Sequence, residues 1–369
     1  MFTLRSLPSK HVHRIGLLLI LAVLLTGCTS GSMLSGSSWP GVTLDGNASY
    51  IAYGNALYAI DTTTGRENWR FPTETERSIT FFAAPAVTPD GMIVAGSYAN
   101  TLYGLRDLGG RADPEWTFTE ASDRYIGSPV IVGDLVLAPN ADGNLYALDL
   151  LSGDLEWAYA ASEGNALWST PLIDGDHAYL TSLDHELYCI DIRDGSECWK
   201  QNLGGAIAST PALYGDVLLT GTFGSEFYAV SLEDGAVLWS IETQNWVWGT
   251  PAVAGTQAFF GDLSGTLYAI DLENEGAELW NQPLDGAITA RVVVDEENVY
   301  AYTDSGSVYA FEQASGVPVW PRTTTIDGKL NADAVLRDGS LLIPATGNDC
   351  LLFAVDTEAG SLRCEFQPE

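Results

Sequence analysis

Short apolar segments of five to seven residues, separated by turns rich in Gly, Asn, Asp and Ser, fill residues 40–369. Two neighbouring examples are DLVLAPN at 134–140 and NLYALDL at 144–150. Segments of this length and composition predict β-strands joined by tight turns, and helical periodicity is absent from this region. A sheet with one wet face would alternate apolar and polar side chains, whereas these segments are apolar at both sets of positions. The pattern therefore predicts sheets that are covered on both faces.

The segments form a repeat with a period of 40 to 45 residues. Each unit contains four predicted strands, named A to D in chain order. The most regular position is an aromatic residue in strand C, which occurs as Tyr58, Tyr103, Tyr146, Tyr188, Tyr228, Tyr268, Tyr309 and Phe353. Radial stacking of four-stranded sheets buries both faces of each sheet against its neighbours. We therefore predict an all-β fold, an eight-bladed β-propeller with four-stranded antiparallel blades, over residues 40–369.

The first 39 residues have a different pattern. Three Lys or Arg residues precede an apolar run at 16–25, and the run leads into Thr26, Gly27 and Cys28. This arrangement is typical of a bacterial lipoprotein signal, in which small residues precede the cysteine that receives the lipid. We predict a signal peptide at 1–27, lipidation of Cys28 and a flexible tether at 28–39. The propeller would then be anchored to the outer membrane or to the outer face of the cell membrane, facing the periplasm or the exterior.

The chain is strongly acidic, with 48 Asp and Glu against 16 Lys and Arg and a formal net charge of −32. Nucleic-acid phosphates are bound by clustered Lys and Arg, so this balance argues against a nucleic-acid partner. It indicates a solvated acidic surface that would attract basic protein surfaces or cations. Two histidines follow the signal region, His177 and His185. We predict them at the two ends of one strand, on opposite rims, so they do not indicate a shared metal site.

The segment AIDTTTGRENW at 59–69 combines Asp, Gly and Trp at a spacing that returns in most units. It resembles the tryptophan-docking motif of the dehydrogenase propellers that use pyrroloquinoline quinone (PQQ). The resemblance implies that the motif joins neighbouring blades and does not bind the quinone. Ser231 and Glu312 replace the Asp in two units, and the second unit lacks the middle of the motif. The predicted docking residues are Trp69, Trp116, Trp157, Trp199, Trp239, Trp280 and Trp320.

The chain shows no motif for catalysis. The PQQ dehydrogenases use an adjacent Cys–Cys pair, a calcium ion held by Glu and Asn, and an Asp base, and no adjacent Cys pair occurs here. We therefore predict no catalytic, cofactor-binding or metal-binding residues. A PQQ-dependent oxidoreductase, or a non-catalytic relative of one, is the alternative.

A lipid-anchored propeller with this repeat and no enzyme motif also resembles the BamB lipoproteins of the outer-membrane β-barrel assembly machinery. The resemblance implies a monomeric, non-catalytic scaffold at the cell envelope that binds protein partners and no cofactor. An outer-membrane assembly complex is one candidate partner. The strong acidity and the scarcity of Lys depart from the usual pattern, so a propeller of the same fold with a different partner stays open.

The cysteines of the propeller offer two candidate pairs. Cys189 and Cys198 lie in strands C and D of the fourth unit. A two-residue turn between those strands would place them opposite each other, at a separation that permits a disulfide. An exported protein permits the bond, and we predict it. The same count places Cys364 opposite Phe353, three positions from Cys350, so the pairing of Cys350 with Cys364 is left open.

The loops that enter strand A and the loops between strands B and C share one rim of a propeller, around the central channel. Several of the entering loops are aromatic, and Arg124, Arg291 and Lys329, which are among the few basic residues of the chain, fall on the same loops. An aromatic ring with a few cations is typical of a binding face. The alternative is that these side chains fill the channel and pack between blades. The candidate residues are Phe82, Arg124, Tyr125, Trp168, Trp246, Trp248 and Arg291.

Overall fold

The computed structural model of the chain describes residues 40–46, 48–74, 76, 78–161 and 165–368. The predicted signal peptide, Cys28 and the tether lie outside these ranges. Within them the chain forms 32 β-strands and a short 3-10 helix at Leu272–Asn274. No helix within these ranges is long and apolar enough to span a membrane.

The first four blades each contain four consecutive strands. In chain order they are β1 (Gly41–Asp45), β2 (Ala48–Tyr53), β3 (Ala56–Asp61), β4 (Arg66–Phe71), β5 (Ala86–Val87), β6 (Met92–Gly96), β7 (Leu102–Asp107), β8 (Ala112–Phe118), β9 (Val130–Val132), β10 (Leu135–Pro139), β11 (Asn144–Asp149), β12 (Leu155–Ala160), β13 (Leu172–Asp174), β14 (His177–Thr181), β15 (Glu186–Asp191) and β16 (Glu197–Asn202). Strand A is the shortest strand in the second, third and fourth blades.

The last four blades repeat this arrangement. Their strands are β17 (Ala212–Tyr214), β18 (Val217–Gly221), β19 (Glu226–Ser231), β20 (Val237–Glu242), β21 (Ala252–Ala254), β22 (Gln257–Gly261), β23 (Thr266–Asp271), β24 (Ala277–Pro283), β25 (Val293–Val294), β26 (Asn298–Tyr302), β27 (Ser307–Glu312), β28 (Thr324–Thr325), β29 (Val335–Arg337), β30 (Ser340–Pro344), β31 (Leu352–Asp356) and β32 (Leu362–Phe366). The 3-10 helix lies in the C–D turn of the sixth blade.

Every blade is an antiparallel sheet whose hydrogen-bonding order equals its order in the chain, such as β9-β10-β11-β12. The first and last blades follow the same rule, so none of the described strands is exchanged where the ring closes. The predicted all-β, eight-bladed propeller with four-stranded antiparallel blades is confirmed.

The central strands are buried on both faces, as the sequence pattern predicts. In β11 the alternating residues Leu145 and Ala147 pack in a cluster with the fourth blade. Tyr146 and Leu148, on the other face of β11, pack in a cluster with the second blade. Each blade thus presents one apolar face to each neighbour, and the removal of these faces from water stabilises the ring.

Seven of the eight seams between blades contain a tryptophan; six of these lie in strand D, and Trp320 lies in the segment just before β28. In the seam between the second and third blades, Trp116 donates a hydrogen bond from Nε1 to Leu150 O at 2.9 Å. Its ring lies against Gly153 in the C–D turn of the third blade, where a Cβ would lie 2.5 Å from the indole and φ is +73°. Only glycine fits this turn without strain. The other indole–glycine contacts are Trp157–Gly195, Trp199–Gly235, Trp239–Gly276, Trp280–Gly316 and Trp320–Gly360.

The seam between the eighth and first blades is built differently, because Cys364 stands eleven residues after Phe353, the spacing at which most other blades have the tryptophan, and pairs with Phe353. Tyr58 and Phe366 meet across this seam with their ring centres 5.7 Å apart, inside a cluster shared by the two blades. The predicted facing of Cys364 and Phe353 is confirmed. The pairing that the sequence left open is a disulfide between Cys350 and Cys364. This bond holds the last strand of the chain to its own blade.

The C–D hairpin of the fourth blade departs from the predicted register. A β-bulge next to Cys189 pairs this residue with Trp199 and leaves Cys198 as the extra residue of β16. The structure therefore lacks the predicted Cys189–Cys198 disulfide, and both residues are free thiols. Burial and the neighbouring Cys198 raise the pKa of Cys189, so its thiol is protonated at neutral pH.

Candidate functional site

The loops that enter strand A and the B–C loops meet on one side of the propeller, and together they form what is called the rim here. Backbone hydrogen bonds join them both within a blade and between blades. Phe223 N donates to Ala206 O in the fifth blade, and Val247 N of the sixth blade donates to Thr222 O. Equivalent bonds recur around the ring. The rim backbone is thus held in place beneath the side chains that it presents.

A cavity of about 420 Å³ opens at the mouth of the channel. Its volume lies in the range of ligand pockets, about 300–1,000 Å³. The inner loops approach one another closely here, and a Cβ on Gly249 would lie 2.3 Å from Ala290 O. All eight blades contribute to the wall, with, from first to eighth, Gly41, Phe82, Gly127, Trp168, Ser209, Trp248, Arg291 and Asp333.

An aromatic stack rises from the fifth and sixth blades beside this mouth. Phe223 lies parallel to Trp246, with ring centres 5.1 Å apart and planes at 10°, and 5.2 Å from Trp248. These three residues are called the Trp246 stack. The outer indole, Trp246, is 47% exposed. The sequence predicted the two tryptophans at this rim but not the phenylalanine that holds them.

A second aromatic group lies on the second and third blades. Phe82 stacks on Tyr98 with ring centres 4.8 Å apart and planes at 17°. The guanidinium of Arg124 lies 5.2 Å from the centre of the Tyr98 ring, a cation–π contact. Burial raises the pKa of Tyr98 to about 12, and the positive charge of Arg124 opposes that rise. Tyr98 therefore stays neutral at neutral pH, and Arg124 remains exposed at the rim.

Tyr98 and Phe223 were missed by the sequence prediction, although a signal for them existed. Each lies two residues after the end of strand B, in the segments GSY at 96–98 and GTF at 221–223. The B–C loops thus place an aromatic ring at the same repeat position in two blades.

Tyr125 does not belong to the rim surface, which corrects its predicted place in a partner-binding face. It is fully buried in the cluster between the second and third blades. Gly96 makes room for it, since a Cβ on that glycine would lie 2.4 Å from the Tyr125 Cβ. Tyr125 therefore packs between blades. For the aromatic loop residues, this role was predicted from the sequence as the alternative to partner binding.

Trp168 lines the cavity and is half-buried. Its Nε1 is enclosed by protein and has no hydrogen-bond partner within the described residues. Buried indole N–H groups usually have a partner, because an unpaired donor loses its bond to water. Trp168 thus adds a half-buried indole to the cavity wall, and its enclosed N–H is not presented to a ligand.

Two charged residues face the channel from the seventh and eighth blades. Arg291 is exposed there, and its backbone N donates to Asp333 Oδ1 at 2.8 Å. The surrounding channel wall raises the pKa of Asp333, and its backbone bond and the Arg291 charge oppose the rise. Water also reaches this carboxyl from the channel, which moderates the effect of enclosure. The mouth thus offers both a cation and an acid beside its aromatic rings.

The fold, the docked tryptophans and the open rim define an eight-bladed propeller of the PQQ-repeat class. A family model described as outer membrane protein assembly factor BamB matches residues 23–193 and 161–363. Because these matches span most of the chain, the protein belongs to the BamB family. A comparison with curated protein sequences gave no match.

Solved structures with the same fold have low sequence identity to this chain. BamB from Moraxella catarrhalis has a TM-score of 0.64 and 19% identity, covering 75% of this chain and 85% of its own. The computationally designed protein Ika8 has a TM-score of 0.71 and 15% identity, covering 90% and 97%. Quinohemoprotein alcohol dehydrogenase from Comamonas testosteroni has a TM-score of 0.67 and 11% identity, covering 83% and 70%. These similarities concern the fold alone.

Proposed function

We propose that this protein is a non-catalytic, lipid-anchored propeller that binds a protein partner at the bacterial cell envelope through its rim. The observation that carries the proposal is the Trp246 stack, in which a half-exposed indole is held flat against Phe223. Aromatic residues in fixed positions are typical hot spots of protein interfaces. Covering such an indole removes apolar surface from water, which stabilises a complex.

Charge at the rim also supports a protein partner. Arg124 and Arg291 are exposed there, although the chain as a whole has a net charge of −32. Arginine is enriched at interfaces because its guanidinium both stacks on aromatic rings and pairs with carboxylates. The acidic remainder of the surface attracts a partner with basic flanks, and we expect association to slow as ionic strength rises.

Membership of the BamB family supports a place at the cell envelope. The description of that family names outer membrane protein assembly, and we extend it to this chain as a proposal. The lipid would be attached at Cys28, and the tether at 28–39 would hold the propeller near the membrane.

A PQQ-dependent oxidoreductase is the second candidate, favoured by the similarity in fold to the quinohemoprotein alcohol dehydrogenase. The residues present do not fit the quinone site that the resemblance implies, because the sequence has no adjacent Cys pair. The binding proposal is therefore preferred.

Photocrosslinking in native membranes tests the binding proposal. Trp246 would be replaced by p-benzoylphenylalanine, with the same replacement at Leu151 as the matched control. Leu151 is 66% exposed in a C–D turn, which bonds to the A–B turn on the side opposite the rim. We expect one dominant crosslinked envelope protein from position 246 and none from position 151. Equal products from both positions, or no product from 246, would contradict the proposal.

Measurement of the affinity for the purified partner gives the contribution of Trp246 to binding. Removal of a hot-spot indole costs about 2 kcal/mol, so Trp246→Ala should weaken binding roughly 30-fold. Leu151→Ala should leave the affinity unchanged, and both variants should unfold at the temperature of the parent. In parallel, the parent would be titrated with PQQ and Ca²⁺. Stoichiometric quinone absorbance with dye reduction by alcohols would favour the second candidate.

A further inference from the structure

The fourth blade departs from the repeat in β15, at the residue opposite the docking tryptophan. That residue is Cys189, paired with Trp199. Other blades have a small residue without a ligating side chain at this position: Ala59, Gly104, Ala147, Ala229 and Ala269.

The same blade departs at two further positions. Cys198 is the extra residue of the bulge, and the equivalent residues are Asn68, Glu115, Glu156, Leu238 and Leu279. His177 begins strand B, and the equivalent residues are Leu135, Val217, Gln257, Asn298 and Ser340. The other blades provide the comparison, since none of these ten equivalent residues carries a thiol or an imidazole.

The three departures meet in space. A nitrogen of the His177 ring, the Sγ of Cys189 and the Sγ of Cys198 all lie within 4.8 Å of one another. The register explains this. His177 pairs with Asp191, two residues from Cys189 and on the same face of the sheet. The bulge adds a residue to β16 and thereby brings Cys198 to that face.

The cluster is reachable from water at one edge and closed at the other. Cys189 is buried, His177 is half-buried and Cys198 is exposed. It lies near the A–B and C–D turns, which are bonded to each other through Ile192 N and Asp176 O on the side opposite the rim. An ion therefore has an entry path, and the cluster is separate from the proposed partner face.

We propose that His177, Cys189 and Cys198 bind one Zn²⁺ ion, with a fourth position open to water. Imidazole and thiolate are the ligands that Zn²⁺ prefers, whereas Ca²⁺ and Mg²⁺ take oxygen ligands. On binding, each thiol gives up its proton to solvent and the two thiolates balance the charge of the ion. The ion would join strands B, C and D of the fourth blade at its outer corner.

Cobalt substitution tests the site directly. The mature chain without a histidine tag would be reduced, freed of reductant under anaerobic conditions and titrated with Co²⁺. We expect thiolate-to-cobalt charge-transfer absorption and the intense visible bands of tetrahedral Co²⁺, which saturate at one ion per chain. Addition of Zn²⁺ should abolish both, and elemental analysis should find one Zn²⁺ per chain.

Three single variants identify the ligands, and each introduces a residue that the repeat or the surface tolerates. Cys189→Ala restores the residue of the other blades, His177→Gln copies the sixth blade, and Cys198→Ser changes an exposed side chain. Each should weaken Zn²⁺ binding by more than about 100-fold, since even outer partners of a metal site contribute about 10- to 100-fold. His185→Gln, in the B–C loop of the same blade, is the matched control and should bind like the parent.

Two results would overturn the zinc site. The first is evidence that carboxylates on the acidic surface, rather than thiolates, bind the metal. Co²⁺ binding without charge-transfer absorption would show this, and so would unchanged Zn²⁺ binding by Cys198→Ser. The second is a Cys189–Cys198 disulfide in unreduced peptides of protein isolated from the envelope, because the oxidised pair offers no thiolate. If the Cys198→Ser variant is folded, a change in its metal binding cannot be attributed to unfolding of the propeller.

Discussion

The seven seams with tryptophan and the single closing seam join the same kind of blade by different means. In the seam behind Trp116 the indole lies on Gly153 of the next blade. In the closing seam the glycine of the first blade, Gly65, has the backbone of Glu365 at that place, with a Cβ-to-oxygen distance of 2.4 Å. The glycine is kept in both cases, because the turn needs its conformation and its small size. The indole of Trp116 and the backbone of Glu365 thus fill the same place against a turn glycine, so a seam can be closed at this point with or without a tryptophan.

The closing seam has a further task that the others do not have. Each of the seven seams joins blades that are consecutive in the chain, whereas the closing seam joins the eighth blade to the first. There β32 is fixed to its own sheet by the Cys350–Cys364 disulfide and contacts the first blade through Phe366. A covalent bond thus occurs in the blade that closes the ring.

Removal of an indole seam is the strongest test of this comparison. Trp116→Ala leaves a cavity beside Gly153 and an unpaired carbonyl at Leu150. Large aromatic-to-alanine changes in cores cost about 3–5 kcal/mol, and we expect about 4 kcal/mol here. The free energy of unfolding in urea measures it. Leu151→Ala, an exposed change in the same turn, should stay within about 0.5 kcal/mol of the parent.

If Trp116→Ala lowered the free energy of unfolding by less than about 1 kcal/mol, the indoles would contribute little, and the apolar strands alone would hold the seams together. The two kinds of seam would then be stabilised in the same way, by the burial of their apolar strands.

The closing seam is tested by removing its covalent bond. The double variant Cys350→Ala/Cys364→Ala opens a loop of sequence separation 14. Closure of a loop of about 15 residues contributes about 3 kcal/mol through the entropy of the unfolded chain. We expect a loss of that size in urea unfolding, and a similar loss when the parent is reduced. Leu151→Ala serves as the control, because this side chain is exposed and lies outside the eighth blade.

A parent whose unfolding is unaffected by reductant would show that the apolar cluster of Tyr58 and Phe366 closes the ring by itself. The disulfide would then be unnecessary for closure, and the closing seam would resemble the others.

Much of this architecture follows from the sequence because it is periodic. The strand order, the eight blades and the tryptophan positions depend on patterns repeated up to eight times, so local exceptions do not hide them. The register of the fourth C–D hairpin was wrong because one extra residue at Cys198 changes the facing of every residue beyond it. A bulge of this kind recurs in other blades, but no residue type marks it.

The rim was predicted less completely, because loop side chains are positioned by contacts between different blades. Tyr125 and Trp168 occupy similar loops, yet one is in the core and the other lines the cavity. The difference depends on Gly96, which leaves a space that only the structure reveals. The lipid anchor at Cys28 and the partner stay predictions.

The seam between the first and second blades differs from the other seams with an indole, because its tryptophan is bonded to a side chain instead of a backbone carbonyl. The test of this difference has the smallest expected effect. Asp107 accepts hydrogen bonds from Trp69 Nε1 at 3.0 Å and from the Tyr50 hydroxyl at 2.8 Å. A bond from Tyr50 to a charged acceptor contributes about 1.5 kcal/mol, so Tyr50→Phe should lower the free energy of unfolding by that amount at pH 7. Burial, together with this bond to Asp107, raises the pKa of Tyr50 in the folded protein.

A raised folded pKa means that the stability from Tyr50 is complete below the unfolded tyrosine value of about 10 and is lost as the pH rises above it. The parent should therefore lose stability in alkaline solution, and Tyr50→Phe should lose less of it between about pH 9 and pH 11. Urea unfolding at a series of pH values measures both slopes. Phe retains the ring that lies 6.0 Å from Trp69, so the variant isolates the hydroxyl from the packing of the seam. Equal slopes for parent and variant would mean that Asp107 does not distinguish this seam from the six others with an indole.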